Sequence, residues 1–218
     1  MVIDPSGHLA VKENRLDAMM HFAIARHSMY RQVYQHRVLL ASETLNKAIA
    51  QRARELGPAL NFADPHMKLV LSAKTSLDLP LTTIFALRES WWKYHLFQWS
   101  QDQDPILSDL CDRLLSRRLL KTVRVRSEDD REKLLLEAED AVRKAKFDPR
   151  FYLHEITSSD MHAGELQQPM MVQMDNGRLE PLQKSEPLWN AMVTESKKLD
   201  RSWLVMPEEA KKQLGRER

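Results

Sequence analysis

Arg26, Tyr30 and Tyr34 are spaced four residues apart in a segment whose apolar residues repeat at helical intervals. Side chains at this spacing lie along one face of a helix. A guanidinium pairs well with a phosphate, and a phenol ring can stack on a base or hydrogen-bond to a sugar. The three residues therefore predict a helix face that holds the phosphate and the sugar of a nucleotide.

The polar residues Gln35, His36 and Arg37 follow this face directly. An amide can hydrogen-bond to a base or a sugar hydroxyl, and the imidazole and the second guanidinium come next in the sequence. Two other interpretations stay open at this point. Tyrosines in an apolar stripe commonly belong to the core while arginines extend to solvent, and a basic helix can serve a protein partner or a nucleic acid.

The segment that carries these residues runs from Lys12 to Leu56 and has an apolar stripe that predicts one amphipathic helix or two abutting helices. A single helix of about 42 residues in this segment would span roughly 60 Å, more than a small domain. We therefore expect a kink or a break, near His27–Ser28 or beyond Arg37. The helix should end near Gly57–Pro58, where glycine suits the cap and proline cannot continue it.

Residues 26–37, with the pattern R-x-x-x-Y-x-x-V-Y-x-H-R, resemble a helix of the HD-domain phosphohydrolases, in particular the deoxynucleoside triphosphate (dNTP) triphosphohydrolases. In that family the helix follows the last metal-binding Asp. The resemblance implies that Arg26 contacts the substrate phosphate and that Tyr34 packs on the deoxyribose, with Tyr30 on the same face. It also implies that Gln35 and the two residues after it border the nucleotide pocket.

Two further stretches resemble the same family. Leu77–Trp92 is similar to its L-D-D-x-x-(I/L) helix, and Asp104–Val123 is similar to its D-x-x-L-x-x-L-x-x-R-x-L-x-K segment. The second stretch ends in the cations Arg117, Arg118 and Lys121. Their default role is to complement the dipole of a helix C-terminus in solvent. The alternative is a phosphate contact at an effector site or an oligomer interface.

The metal-binding residues of an HD enzyme, a His…His-Asp…Asp set, are missing from this sequence, which contains eight His and no His-Asp dipeptide. The resemblance begins after the family's last metal ligand, so the chain corresponds to a C-terminal, post-motif portion. We therefore expect no catalytic residue, no metal site and no hydrolysis in this chain alone. The resemblance places a divalent Mg, Mn or Fe ion in a complementing HD subunit.

Two functions follow from this pattern. The first is the substrate-side portion or subunit of an HD-family dNTP phosphohydrolase, which docks an HD subunit through an N-terminal hairpin and a Met-rich face formed by Met19, Met20 and Met29. The alternative is a non-enzymatic subunit of the same descent that senses nucleotides or serves in assembly. The expected partners are a dNTP-like nucleotide and either further copies of the chain or a separate HD-motif subunit.

Composition is that of an ordinary globular protein: 218 residues, 29% charged, 43% hydrophobic and a net charge of +2. This near-neutral charge argues against a nucleic-acid partner. No window approaches about 18 apolar residues, so we expect no membrane span. The single Cys111 cannot form an intrachain disulfide, which fits a reducing cytoplasm.

Periodicity predicts a mainly α fold with a C-terminal α+β region that contains a small antiparallel sheet. Residues 1–121 form the helical region, which resembles the C-terminal half of an HD core, and residues 122–218 form the α+β region. We expect an N-terminal hairpin, helices at residues 81–100, 106–120 and 127–146, strands at 122–126, 151–156, 170–174, 178–182 and 203–206, and a polar tail from residue 208.

Two smaller clusters have open roles. The helix predicted over residues 81–100 carries more large aromatic residues than one face can bury. This predicts core packing plus a subunit contact, or a platform for a flat ligand. The aromatic residues are Trp91, Trp92, Tyr94, Phe97 and Trp99. The residues Asp160, His162 and Glu165 stand in a polar loop, where two carboxylates and one His favour a surface role over a metal site.

Overall fold

The computed structural model describes the chain except residues 5–6, 61, 63, 158–168, 196–200 and 216–218, and the side chains of residues 58, 128 and 129. The helices are α1 Leu16–Met29, α2 Arg37–Leu56, α3 Pro65–Ser72, α4 Leu81–Ala86, α5 Glu89–Trp99, α6 Pro105–Leu115, α7 Glu128–Lys144, α8 Pro149–Tyr152, α9 Leu182–Ser185, α10 Pro187–Thr194 and α11 Glu208–Leu214. The strands are β1 Val2–Ile3, β2 Leu9–Lys12, β3 Lys121–Val125, β4 His154–Thr157, β5 Met171–Gln173, β6 Leu179–Pro181 and β7 Ser202–Met206. The fold is mainly α with small sheets, as predicted.

Packing divides the chain into two compact units. The first comprises Met1–His36 and Thr157–Ser202, and the second comprises Arg37–Ile156 and Trp203–Arg218. This division differs from the boundary near residue 121 that the sequence pattern predicted. The pattern changes where strands become frequent, whereas a compact unit is set by which segments pair in space.

The sheet of the first unit joins the two sequence segments that make up the unit. Strands β1 and β2 form the predicted antiparallel hairpin, with Val2 opposite Ala10. Strand β2 then pairs in parallel with β5, with Val11 opposite Val172, and β6 completes the order β1-β2-β5-β6. The sequence predicted the hairpin and the β5–β6 pair but not the parallel join, because partners about 160 residues apart leave no local signal.

The core of the first unit is small and rich in methionine. Met20 and Ala23 of α1 pack with four buried residues of the later segment, Val172, Leu182, Trp189 and Val193, and Met19 packs against this cluster. The Met-rich docking face expected from the sequence is therefore divided. Met19 and Met20 face the unit's own core, and Met29 remains exposed.

The long helix predicted over residues 12–56 is broken between the two units. Helix α1 ends at Met29, continues as a π-helical turn over Tyr30–Tyr34, and α2 begins at Arg37. The amide of Gln35 donates to the carbonyl of Tyr30 at 2.7 Å, five residues back, which is the widened π spacing. The break therefore lies between the two positions that the sequence suggested, because the π turn ends the α-helical hydrogen-bond ladder at Gln35.

Helices α2 and α6 form the centre of the second unit. Their buried residues include Leu45 and Ile49 of α2 and Leu110 of α6. Asp104, the predicted N-cap of α6, accepts a hydrogen bond from the Leu107 amide at 2.8 Å and two from the Arg52 guanidinium at 2.6 and 3.0 Å. One carboxylate thus caps α6 and links it to α2.

The aromatic region contains two helices rather than the single one predicted, because the backbone is extended at Leu87 and Arg88 between α4 and α5. On α5, Trp99 is buried and Trp92 packs edge-on against it with ring centres 5.8 Å apart. The Trp92 indole N–H donates to Asn46 of α2 at 2.8 Å. These rings therefore belong to the core, while Tyr94 and Phe97 are exposed.

Three other predicted boundaries are corrected by the structure. Helix α6 stops at Leu115 instead of Leu120, since Arg117 adopts a left-handed conformation and Lys121 opens β3. The predicted strand at residues 151–156 starts as the helical turn α8, because Asp148 caps it and accepts from the Arg150 amide at 3.0 Å. The predicted polar tail folds into α11.

The buried guanidinium of Arg113 connects three helices of the second unit. It donates to Asp109 on its own helix at 2.7 Å and to Glu209 of α11 at 3.0 Å. Tyr152 of α8 donates to the same Asp109 carboxylate at 2.7 Å, and burial together with this hydrogen bond raises the pKa of Tyr152. The Phe147 ring centre lies 5.0 Å from the Arg113 guanidinium carbon. Arg113 is therefore both paired and packed.

We expect Arg113→Ala to lower the free energy of unfolding by about 3 kcal/mol, because it leaves two carboxylates without their cation and removes packing on Phe147. Urea denaturation followed by circular dichroism measures the change. Arg143→Ala is the matched control, since Arg143 pairs with Glu139 on the exposed face of α7, and it should cost less than about 0.5 kcal/mol. Equal effects of the two substitutions would contradict a central role for Arg113.

Candidate functional site

The three residues first singled out in the sequence form one column at the end of α1. The Arg26 guanidinium donates to the Tyr30 hydroxyl at 3.3 Å, and its carbon lies 4.9 Å from the Tyr30 ring centre. The rings of Tyr30 and Tyr34 follow with centres 5.0 Å apart and an interplanar angle of 54°. We call this arrangement the Arg26 column.

The Arg26 column is exposed rather than buried, contrary to the appearance of the apolar stripe. Arg26 is exposed, 55% of Tyr34 is accessible, and Tyr30 is half-buried. Only Met20 and Ala23 of α1 are buried, so the column stands beyond the part of the helix that packs. It presents a cation and two partly accessible phenol rings, the chemistry that a phosphate and a flat or sugar-like group would use.

The π turn gives the end of the column its geometry. A π turn has hydrogen bonds between residues five apart instead of four, so it rotates Tyr34 relative to a regular helix, and such turns are frequent at functional sites. Gln35, half-buried, closes the turn, and the exposed His36 donates its amide to the Val33 carbonyl at 3.2 Å. These two predicted site residues thus follow the column directly on the same unit.

Arg37, the last predicted substrate residue, belongs to the second unit and lines an open cavity of about 1060 Å³ there. The predicted effector residues Arg117 and Lys121 line the same cavity. Five lining side chains are cationic: Arg37, Arg117, Lys121, Lys211 and Lys212. We call this space the basic cavity.

Glu208 is the single acid among the described residues that line the basic cavity. Its carboxylate lies 3.2 Å from the Lys212 ammonium and 3.5 Å from that of Lys121. The hydrogen bond with Lys212 is the main cause that lowers the pKa of Glu208, so the carboxylate is ionised at neutral pH. The cavity therefore retains an excess of positive charge suited to an anion with several negative charges, such as a polyphosphate.

Arg117 stands at the cavity in a conformation that arginine rarely adopts. Its φ is 55°, and it follows the last residues of α6, the position where a helix usually ends in glycine. A non-glycine residue in this region carries strain, and strained residues cluster at functional sites. Glycine would fit this backbone without strain, so the arginine is explained by its side chain, which lines the cavity.

Arg118, grouped with Arg117 and Lys121 in the sequence, is directed elsewhere. Its guanidinium pairs with the Asp112 carboxylate and lies 3.7 Å from Asp109 on α6. Arg118 does not line the basic cavity. It lies just beyond the end of α6 and pairs with carboxylates of that helix, near the helix C-terminus where a cation is favourable.

The lysines of α11 are the cavity residues that the sequence interpretation missed. Lys211 also donates to the Thr122 carbonyl of β3 at 3.3 Å. A helix signal was present in the sequence: Pro207, then acidic residues in the first turn, basic residues in the last turn and Gly215 at the end. Gly215 has a φ of 66° and terminates the helix as expected.

The described residues do not fit a metal site, because nowhere among them do three or more His, Cys, Asp or Glu side chains converge. The loop with Asp160, His162 and Glu165 lies outside the described residues. In the same described part of the chain, no helix combines the length and the apolar character that a membrane crossing requires.

Comparison with known proteins relates this fold to a phosphohydrolase. No protein-family model matches the chain. It is 27% identical over 190 residues to the uncharacterized protein YwfO of Bacillus subtilis, a match that covers 83% of this chain and 43% of YwfO. A phosphohydrolase from Bacteroides thetaiotaomicron superposes with a TM-score of 0.72 at 19% identity, over 94% of this chain and 53% of that protein.

A second solved structure gives a weaker match of similar extent. A hypothetical protein from Aquifex aeolicus superposes with a TM-score of 0.53 at 18% identity, over 97% of this chain and 48% of its own. The chain thus spans about half the length of the proteins it matches. At these identities the likeness establishes a shared fold, so the chain has the fold of part of a phosphohydrolase.

We expect Arg117→Gly to weaken anion binding without lowering the free energy of unfolding. Glycine removes the strain of the left-handed backbone, so the unfolding free energy should stay constant or rise by up to about 1 kcal/mol. The loss of one cation should weaken tripolyphosphate binding about tenfold, measured by calorimetry at low salt. Arg118→Ala, adjacent but outside the basic cavity, should bind like the wild type. Wild-type affinity in Arg117→Gly would show that the cavity does not use this side chain.

Proposed function

We propose that this chain supplies the nucleotide-contacting wall of an HD-type dNTP phosphohydrolase. The observation that carries the proposal is the Arg26 column, which sets a guanidinium and two phenol rings in contact on an exposed helix end. The phosphohydrolase fold of the chain supports it. In this proposal Arg26 holds a substrate phosphate, and Tyr30 and Tyr34 hold the sugar and the base edge.

The polar residues after the column extend the proposed contact. Gln35 offers an amide that can donate to and accept from a base or a sugar hydroxyl. His36 is exposed beside it and can donate to a further oxygen. Selectivity for a nucleotide would then come from hydrogen bonds at Gln35 and His36, while affinity would come mainly from the charge of Arg26.

The His-Asp dipeptide of the metal-binding set that this activity would use is missing from the sequence. Because the described residues do not fit a metal, the His and Asp ligands of a divalent Mg, Mn or Fe ion would come from a complementing part that bears an HD motif. The chain is then inactive alone, and its contribution is to bind and orient the nucleotide. An exposed, preorganised Arg26 column suits that role, since orientation itself lowers a reaction barrier.

The test starts with the assembly purified from the native source, whose components are identified by intact mass. We expect a component with a His…His-Asp…Asp set and hydrolysis of dNTPs by the assembly. Arg26→Ala should lower this rate at least about a hundredfold, because a cation aimed at the reacting phosphates is lost.

Arg31→Ala is the matched control, since Arg31 lies on the same helical segment outside the column, and it should retain the activity. Undiminished hydrolysis by Arg26→Ala would remove Arg26 from the site. An assembly that lacks an HD component and does not hydrolyse dNTPs would refute the enzymatic function altogether.

A second candidate function, nucleotide sensing without catalysis, is favoured by the basic cavity. It gathers Arg37, Arg117 and Lys121 with the two lysines of α11 around one space. Four positive charges in excess of Glu208 suit a triphosphate without requiring a metal ion. In this alternative the chain is a sensing or assembly subunit, and the Arg26 column is not its main ligand contact.

The role of Glu208 tests this second function. Glu208→Gln removes the one carboxylate of the described lining and releases Lys121 and Lys212, so tripolyphosphate and dNTP binding should tighten about three- to tenfold. Calorimetry in EDTA measures the affinity without metal. Glu43→Gln is the control, because Glu43 forms an exposed ion pair with Lys47 on α2, and it should not change the affinity. Unchanged or weaker binding by Glu208→Gln would contradict anion binding in the cavity.

A further inference from the structure

Strand β3 of the second unit carries arginine on the face that also borders the basic cavity. Its residues alternate in exposure, with Val123 buried in the core and Arg124 exposed. Because side chains two residues apart point to the same side of a strand, Arg124 shares its side with Thr122, which lines the basic cavity. Arg126, directly after the strand, continues the series and is also exposed. We call Arg124 and Arg126 the arginine row.

The arginine row extends the positive charge of the basic cavity in one direction. Residues of a strand are spaced about 3.3 Å apart, so the backbone of Arg124 lies about 7 Å beyond Thr122 and that of Arg126 about 13 Å beyond it. The cavity and the row thus form one elongated positive surface, which we call the basic strip. Its shape suits an anion that is longer than the cavity itself.

The charges of the arginine row are not neutralised by the surrounding residues that the structure describes. Within this part of the chain neither arginine forms an ion pair. Strand β7, which lies beside β3 in its sheet, comprises Ser202–Met206 and contains no charged residue. The strip ends after Arg126, where Ser127 caps α7 and acidic residues occupy positions 128–130.

The charge of the basic strip exceeds what a triphosphate needs. Five cations and the carboxylate of Glu208 line the cavity, as far as its lining is described, so four positive charges already surround a triphosphate there. A triphosphate held in the cavity leaves the arginine row without a ligand. With the row included, seven cations lie along the strip, an arrangement suited to a linear anion with a charge at each of many units.

The residues of the basic strip also distinguish between two kinds of linear anion. Proteins that bind single-stranded nucleic acid stack its bases on aromatic side chains. None of the described residues that line the basic cavity is aromatic, and the row adds only guanidinium groups. A chain of phosphates without bases needs no stacking surface, and arginine forms bidentate hydrogen bonds with phosphate oxygens.

We propose that the basic strip binds a linear inorganic polyphosphate, with one part of the polymer in the basic cavity and the adjoining part along the arginine row. Polyphosphate binding rests on the second function proposed above, since it requires that the basic cavity bind anions. It names a ligand longer than the triphosphate of a nucleotide. Arg124 and Arg126 then determine the preference for the longer ligand.

The test compares tripolyphosphate with a polyphosphate several times longer, by calorimetry on the full 218-residue chain at several salt concentrations. The wild type should bind the longer polymer at least about tenfold more tightly. The double variant Arg124→Ala, Arg126→Ala should bind this polymer about tenfold more weakly and with a smaller salt dependence, because two phosphate contacts no longer release counterions. Its affinity for tripolyphosphate should be unchanged.

The double variant Lys68→Ala, Lys74→Ala is the matched control. It removes the same total charge from two exposed lysines that are outside the lining of the cavity and outside β3, and it should bind both ligands like the wild type. Circular dichroism should show unchanged helix content in both double variants, because all four exchanged side chains are exposed.

The contrary outcomes are distinguishable. A wild type that binds neither ligand would refute anion binding in the basic cavity and polyphosphate binding with it. If tripolyphosphate binds but the longer polymer binds no better, or binds equally well to the arginine double variant, polyphosphate binding along the row alone is refuted. A single-stranded oligonucleotide of matched charge that binds as tightly as the polymer, and through the same arginines, would assign the basic strip to a nucleic acid and overturn the proposal.

Discussion

The second unit depends on one buried cation, the Arg113 guanidinium, and on the two carboxylates that neutralise it. Asp109 fixes it on α6, and Glu209 of α11 approaches from the C-terminal end of the chain. A charge this deeply buried is tolerated only when it is paired and hydrogen-bonded. Satisfying it therefore brings α11 to α6. Because α11 also carries Lys211 and Lys212, the same ion pair determines where the basic cavity forms.

Backbone pairing imposes a comparable constraint on the first unit. Strand β2 has hydrogen-bond partners on both sides, β1 from its own hairpin and β5 from a segment far along the chain. The small methionine-rich core under this sheet fixes one side of α1 through Met20 and Ala23. The rest of the helix end, including Arg26, is consequently left accessible, and its polar groups are arranged by contacts with one another.

The two candidate ligand regions have different physical characters. The Arg26 column offers one cation and two rings on an exposed helix end, an arrangement suited to recognising a flat or sugar-bearing group. The basic cavity offers five cations against one carboxylate, an arrangement suited to a ligand with several negative charges. The sequence pattern placed Arg37 with the first region because it follows His36 directly. The structure places it in the second region, because the chain passes from one unit to the other at that point.

Local signals in the sequence determined the helices with clear caps, such as Asp104 before α6 and Ser127 before α7. They also placed Arg26 and Tyr30 on one helix face, because the two lie four residues apart, whereas the position of Tyr34 depends on the π turn. Tertiary structure alone decided the parallel β2–β5 pairing, the division into units, the exposure of the column and the convergence of Arg117, Lys121 and α11 on one cavity. The physical reason is range. Caps and helix faces arise from residues within one turn, whereas burial and convergence depend on partners distant in sequence, which periodicity cannot encode.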